Sequence, residues 1–349
     1  DDTGDDAGDD DDISDDDDAG ADDDDTPEDP DPSFHWSFAV HVAEINFSLT
    51  DAEQAFDEIL ALGGHGVRTD IMWYDVEPNE GQWDQTMLDF YDDYVSLAVS
   101  MGLEPMIIWS NPPNWARTLY LVDPAAFWLR YEQYVENVVG LVADRVDHYQ
   151  MWNEANHVID PISGSDDWEL FDRGGAIVRA LDPTATLHVN AMANLWGWED
   201  AVTDWVTQAG SYIDSIGVDH YAGTWDTAPY SDWGPAETLV ARINDPGDAW
   251  YGKQGTVMET GYSSWAAFVA DEEDQETWIT EALPALFDLV QDANANEEYG
   301  IWWGTYYQLI DVDTAGLGQE NHFGILHTDF SHKVGYGALQ SEIAAFQAL

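Results

Sequence analysis

Two stretches decide how this 349-residue chain is read: Tyr149-Gln150-Met151-Trp152-Asn153-Glu154 and Thr256-Val257-Met258-Glu259-Thr260-Gly261. Each is an apolar, strand-like run that reaches a glutamate. The two glutamates lie 105 residues apart, three strand–helix units if one unit takes about 30–40 residues. Working outward, apolar runs at 36–45, 65–73, 103–109, 146–153, 185–192, 213–221, 254–260 and 299–306 read as strands. Amphipathic runs near 51–62, 87–101, 124–143, 168–181, 199–209, 235–243, 275–293 and 334–347 read as the helices between them. Strict alternation implies a parallel sheet. Eight repeats imply its closure into an α/β, (β/α)8 TIM barrel over residues 34–349, with Glu154 on strand four and Glu259 on strand seven. In that fold the C-terminal strand ends carry the active site.

Local signals agree. Thr50 before Asp51-Ala52-Glu53 reads as an N-cap with its capping-box partner, and Asp123-Pro124 opens a helix with Pro at its first position. Gly63-Gly64 ends the first helix. No Gly-rich phosphate fingerprint follows the first strand, so no dinucleotide cofactor is expected.

Residues 1–33 hold 19 acidic residues and no basic one. Such a run cannot bury enough apolar surface to offset its ordering entropy, so it reads as a disordered Asp-rich tether. A spacer of this kind commonly separates an export signal or surface anchor from a folded domain, so an extracellular or cell-surface location is expected. The remainder has 52 acidic residues against 9 basic ones, with Lys only at Lys253 and Lys333. This charge opposes compaction at low ionic strength, and molar salt screens it to a Debye length of ~3 Å. A salt-adapted protein is expected. Nucleic acid and anionic membrane are disfavoured as partners by repulsion, and no run is long and apolar enough to span a membrane. The chain has no Cys, which removes disulfides and thiolate chemistry.

The strand ends collect polar and aromatic groups: His41 or Glu44, Arg68, Asp70 and Trp73, Trp109 to Asn111, Asn153-Glu154, Asn190 and Asn194, His220-Tyr221, Glu259, and Trp302-Trp303. Two carboxyl groups facing one pocket are the machinery for glycosidic cleavage. Glu154 reads as the general acid/base, needing a raised pKa. Glu259 reads as the nucleophile, ionised and held by donors. Arg68 and the Tyr221 phenol are the candidate donors; a structural ion pair is the competing reading of Arg68. Asn153 can hydrogen-bond a substrate hydroxyl. Trp73, Trp109, Asn111 and His220 are placed at the sugar. Adjacent Trp302 and Trp303 should face opposite ways, with Trp303 lining the pocket. No His pair has ligand spacing, so no metal is expected. Segment 307–333 is long for a simple connection and reads as a flap over the pocket.

These residues resemble a known group. Trp152-Asn153-Glu154 after strand four and an isolated Glu259 after strand seven are similar to the retaining glycoside hydrolases of clan A. Val67-Arg68-Thr69-Asp70 with Trp73, Glu77-Pro78 and Gly81-Gln82-Trp83-Asp84 resembles the second strand and loop of family 39 and family 5 members. Asp219-His220-Tyr221 resembles their sixth strand, whose Tyr contacts the nucleophile. Trp302-Trp303 resembles their eighth, where a Trp floors the sugar site, and Phe323-Gly324-Ile325-Leu326 with Lys333 resembles their closing segment. Ala155 stands where the family often has Pro. The resemblance covers 36–346 and implies double displacement on a carbohydrate substrate. The expected function is therefore a retaining hydrolase of β-linked poly- or oligosaccharide; the tryptophans at strand ends and rim loops suggest a cleft with several subsites and hence endo action. A non-catalytic glycan-binding barrel and a transglycosylase are the alternatives.

Overall fold

The computed structural model describes residues 34–42, 47–157, 166–225, 228–265, 271–313 and 315–348. The expected tether, 1–33, lies outside them, as does Glu44. Eight parallel strands close into a barrel in sequence order. They are β1 (His35–Ala39), β2 (Gly66–Met72), β3 (Glu104–Ser110), β4 (His148–Met151), β5 (Thr186–Met192), β6 (Ser215–Asp219), β7 (Gln254–Thr260) and β8 (Ile301–Tyr306). The (β/α)8 reading is correct. All seven residues of β2 are buried, as expected for a strand with the barrel interior on one face and helices on the other.

The helices are α1 (Leu49–Ala61), α2 (Trp73–Val76), α3 (Gln85–Ser100), α4 (Asn114–Val122), α5 (Pro124–Val142), α6 (Trp168–Leu181), α7 (Trp198–Ala209), α8 (Gly234–Ile243), α9 (Glu272–Asn296) and α10 (Tyr336–Gln347). Asp123 caps α5 with Pro124 at its start, as expected. Helix α1 begins two residues earlier than the sequence suggests: Ser48 is the N-cap and Asp51 its capping-box partner. Helices α2 and α4 on the rim were not expected; runs of four and nine residues are too short to declare a period. No helix among the described residues is long and apolar enough to cross a membrane.

Three local departures from regular pleating set up the upper barrel. Val218 pairs with Val257 but Asp219 pairs with Glu259, so Met258 is an extra residue on β7. This bulge lets consecutive side chains both turn inward. Met258 packs low in the barrel with Met106 and Trp303, and Glu259 reaches the pocket above. On β8, Gly255 pairs with Ile301 and Thr256 with Trp303, leaving Trp302 as the extra residue. The expectation that Trp302 and Trp303 face opposite ways therefore fails. Both rings approach His148, at centroid distances of 5.2 and 5.1 Å. Finally, β4 stops at Met151 because Trp152 and Glu154 take left-handed backbone angles, φ 77° and 44°. Each such residue costs on the order of 1–3 kcal/mol and persists only where its surroundings enforce it.

Candidate active site

The enforcement at β4 is visible. Gln150 Nε2 donates to the Trp152 carbonyl at 2.9 Å. The Glu154 N–H donates to Asn190 Oδ1 at 3.0 Å, and the Glu154 carbonyl accepts from the His157 N–H at 2.7 Å. The turn sends the Trp152 ring into the helix layer beside Tyr131. It leaves both Asn153 and Glu154 on the pocket wall.

Glu259 is held at both oxygens. Arg68 Nη1 lies 2.7 Å from Oε1, and the Tyr221 hydroxyl donates to Oε2 at 2.6 Å. Arg68 is itself fixed by Nε donating to Gln150 Oε1 at 2.8 Å and Nη2 donating to Asn153 Oδ1 at 3.0 Å. The Asn153 oxygen also accepts from Gln150 and Asn190, which leaves its NH2 as the group to meet a substrate oxygen. Burial opposes the charge on Arg68, but Glu259, Asp219 and Asp70 outweigh it and raise its pKa. The site's one guanidinium therefore stays charged.

The second carboxyl has the opposite environment. Burial first, and then the charge of Glu259, pushes Glu154 up to about 8. At neutral pH it holds a proton that it can give away. Asp219, wholly buried at the end of β6, is raised well above the carboxylate range by burial and by Glu259 and Glu154. Asp70 goes the other way. Burial pushes it up, but the hydrogen bond and charge of His41 and the charge of Arg68 hold it below its ordinary value; His41 Nδ1 lies 2.8 Å from Asp70 Oδ2.

The cavity at this end of the barrel has a volume of about 380 Å³, within the ~300–1,000 Å³ of small-molecule sites. Glu154, Glu259, Asn153, Tyr221, His41 and Asp70 line it. So do Trp225, Tyr307 and Glu320, the last two from the segment expected as a flap. That segment is fastened by Lys333, whose Nζ lies 2.7 Å from buried Asp311.

Five residues expected at the sugar are elsewhere. Trp303 is fully buried low in the barrel, its Nε1–H donating to Ser37 Oγ at 2.9 Å; the rim aromatic on this strand's extension is Tyr307. Trp109 lies fully buried toward the helices, donating to the Tyr131 hydroxyl. Trp73 stacks on Tyr134 and donates to Glu77, which also pairs with Arg130. His220 turns to the following loop, with Nε2 2.6 Å from the Asp232 carbonyl and its ring against Trp233. Asn111 stands behind the wall; its Nδ2 donates to Ser110 Oγ, which donates to Asp70. Strand-end position placed all five near the rim, but not the direction of each side chain.

Asp219 was missed as a site residue, although it belongs to a motif the sequence offered, because an Asp before His-Tyr at a strand end does not announce a buried carboxyl. Among the described residues, Glu154, Asp219 and Glu259 form a group with spacing that could suit a cation, one oxygen of each lying within 4.8 Å of the others. Arg68 already supplies the positive charge against Glu259.

No family model matches the chain, and no curated protein matches it either. Solved structures do. GH5_18 from Streptomyces cattleya in complex with GlcNAc superposes with a TM-score of 0.71 at 15% identity, over 90% of this chain and 80% of that one. An apo β-glucosidase gives 0.67 at 17% identity, over 90% and 98%. A family 39 glycoside hydrolase from the gut symbiont Bacteroides cellulosilyticus WH2 gives 0.65 at 19% identity, over 89% of this chain and 64% of that one. The barrel is shared with solved glycoside hydrolases. At these identities the likeness is one of fold; the chemistry must be argued from the pocket.

Proposed function

We propose that this chain is a retaining glycoside hydrolase acting on β-linked oligo- or polysaccharide. One observation carries the reading: Glu154 and Glu259 bring oxygens within 4.8 Å of each other across the cavity. Retaining enzymes hold their carboxyl groups ~5–5.5 Å apart, whereas inverting ones need ~6.5–9.5 Å to admit a water. The opposed environments supply the roles. Glu259, bonded by Arg68 and Tyr221, attacks the anomeric carbon while Glu154 passes its proton to the leaving oxygen. That forms a glycosyl ester on Glu259 and breaks the glycosidic bond. Glu154, now a carboxylate, takes a proton from water, whose oxygen attacks the same carbon and releases Glu259.

The row of rim tryptophans behind the endo expectation is not assembled, since Trp73, Trp109 and Trp303 are buried inside the fold and Trp225 is the tryptophan at the described cavity. The charge census narrows the sugar instead. Of nine basic residues, only Arg68 approaches the pocket, and Glu259 occupies it. A uronic acid would bring a carboxylate beside Asp70, Glu259 and Glu320 with no Lys or Arg to receive it, so the reading is an uncharged glycosyl unit. Salt adaptation belongs to the same proposal and predicts a melting temperature that rises from dilute buffer to molar KCl.

The test is release of reducing ends and aryl groups from a panel of β-glycans and matched glucoside/glucuronide and galactoside/galacturonide pairs at molar salt, with E259A alongside. Hydrolysis by the parent, loss of about 10⁴-fold or more in E259A, and a preference of at least about a hundredfold for the uncharged partner are expected. A product of inverted configuration would overturn the mechanism. Product analysis with an added sugar acceptor separates hydrolysis from transfer, and binding without release would leave the glycan-binding alternative.

A further inference from the structure

Asp219 is a third carboxyl group in the pocket wall, and double displacement as written above gives it no task. Its Oδ2 accepts from Asn190 Nδ2 at 2.5 Å. The same Asn190 accepts the Glu154 N–H through Oδ1, so one amide sets the positions of Asp219 and the Glu154 backbone together. Asp219 Oδ1 is buried and meets no N–H or hydroxyl donor among the described residues. The Glu154 side chain lies beside Asp219, one oxygen of each within 4.8 Å of the other, close enough for a hydrogen bond between the two carboxyls. A buried carboxylate oxygen without a donor is costly, and two carboxylates in contact repel. Both problems vanish if a proton lies between them.

We propose that Asp219 is a positioning residue for the acid/base: it accepts the O–H of Glu154, and the pair carries one proton that Glu154 delivers to the leaving oxygen. This rests on the glycosidase reading of the site. The groups facing the pair are Glu259 from β7, Arg68 from β2, Tyr221 from the end of β6 and Glu320 from the segment after β8. Charge is conserved among the carboxyls through the first step. Before it, Glu154 and Asp219 together hold one proton and one negative charge, and Glu259 is an anion. After it, Glu154 and Asp219 are anions while Glu259 is a neutral ester. The negative charge that appears on Glu154 is matched by the charge that disappears from Glu259, so Arg68 faces the same total throughout. Burial raises both members of the pair, in the direction that retains one proton at neutral pH; such a proton belongs to the pair and not to either residue alone.

The experiment is Asp219→Asn, with Asp219→Ser as the second variant. Each replaces the carboxylate by a neutral, weaker acceptor and removes the neighbouring negative charge, so Glu154 should ionise more readily. The basic limb of the kcat/KM profile should fall by at least one pH unit in both. Loss of about a hundredfold or more should appear with an alkyl β-glycoside, which needs its leaving oxygen protonated. A 2,4-dinitrophenyl β-glycoside, which does not, should lose less than about fivefold. Equal losses on both substrates with an unmoved limb would show a merely structural role and overturn the proposal. A readout independent of turnover is the infrared carboxylic-acid stretch of Glu154, isolated as the difference between parent and E154Q. Its titration should move to lower pH when Asp219 is replaced, and an unchanged titration would overturn the proposal even in an inactive protein. If no glycoside is cleaved by the parent, the glycosidase reading fails while this titration still decides the Glu154–Asp219 pair.

Discussion

The two halves of the barrel interior solve the same packing problem in opposite ways. Below, Met106, Met258 and Trp303 fill the space. Two imidazoles there, His148 and His188, are shifted toward their neutral forms by burial. Trp303 stacks on His35 and gives its one N–H to a hydroxyl. Above, Asp70, Glu154, Asp219 and Glu259 share one guanidinium and one imidazole. The lower half removes charge and is a core. The upper half keeps more negative charge than it can neutralise, which raises the pKa of whichever carboxyl is worst compensated. In the glycosidase we propose, that surplus is the catalytic resource, and it should be paid for in stability.

Arg68→Met strikes hardest at this contrast. It leaves Glu259 and Asp219 buried without their cation, and removing one partner of a buried pair costs about 3–5 kcal/mol. Activity should vanish together with a large fall in the denaturation midpoint. A variant that loses activity but keeps its midpoint would mean that the carboxyls are far better solvated than their burial implies. Trp303→Ala is the counterpart below. Truncating a buried Trp should cost about 3–5 kcal/mol, but the folded fraction should keep kcat within a few-fold, because the ring lies away from the pocket. A loss of kcat beyond tenfold would join the two halves into one functional unit.

How much of this was legible beforehand follows the same divide. Glu154 and Glu259 were readable because each ends an apolar run, and their spacing counts strands. Arg68 and Tyr221 were readable because a charge inside a strand needs a partner and a candidate nucleophile needs donors; the structure joins both to Glu259. The tryptophans were not. Position near a strand end does not say which face a ring takes: the bulge at Trp302 breaks the alternation that would have placed Trp303, while Trp109 on regularly paired β3 and Trp73 just past β2 turn to the helix residues Tyr131 and Tyr134. His220 was misplaced for a related reason, its ring being claimed by a loop carbonyl whose position no local pattern encodes. Asp219 is the reverse case: the side chain points where the pleat sends it, but its importance comes from neighbours on β4 and β7 that only closure of the barrel supplies.

Tyr221→Phe tests a smaller effect. It removes one hydroxyl that donates to a charged oxygen, a contact worth about 1.5–3 kcal/mol. We expect kcat/KM to fall about 10–150-fold, with the midpoint changed little because the ring and its packing against Phe323 remain. The ratio of kinetic to stability loss should thus be high here, low for Trp303→Ala, and near unity for Arg68→Met.

Glu154→Gln should reverse the sign of the stability change, and the reversal should depend on pH. The Glu154 carboxyl is raised from 4.5 to about 8 in the folded protein, so between those values the folded chain holds a proton that the unfolded chain has lost. Stability tied to that proton is complete below the unfolded value and is lost as pH rises through the folded one. Glutamine has nothing to titrate. The variant should therefore be inactive toward unactivated glycosides, yet its melting temperature relative to the parent should be higher at pH 8 than at pH 5. Paired melting curves at the two pH values measure this directly. A gap independent of pH would mean that Glu154 titrates as an ordinary carboxyl, and the surplus charge of the upper barrel would then have to reside on Asp219 alone.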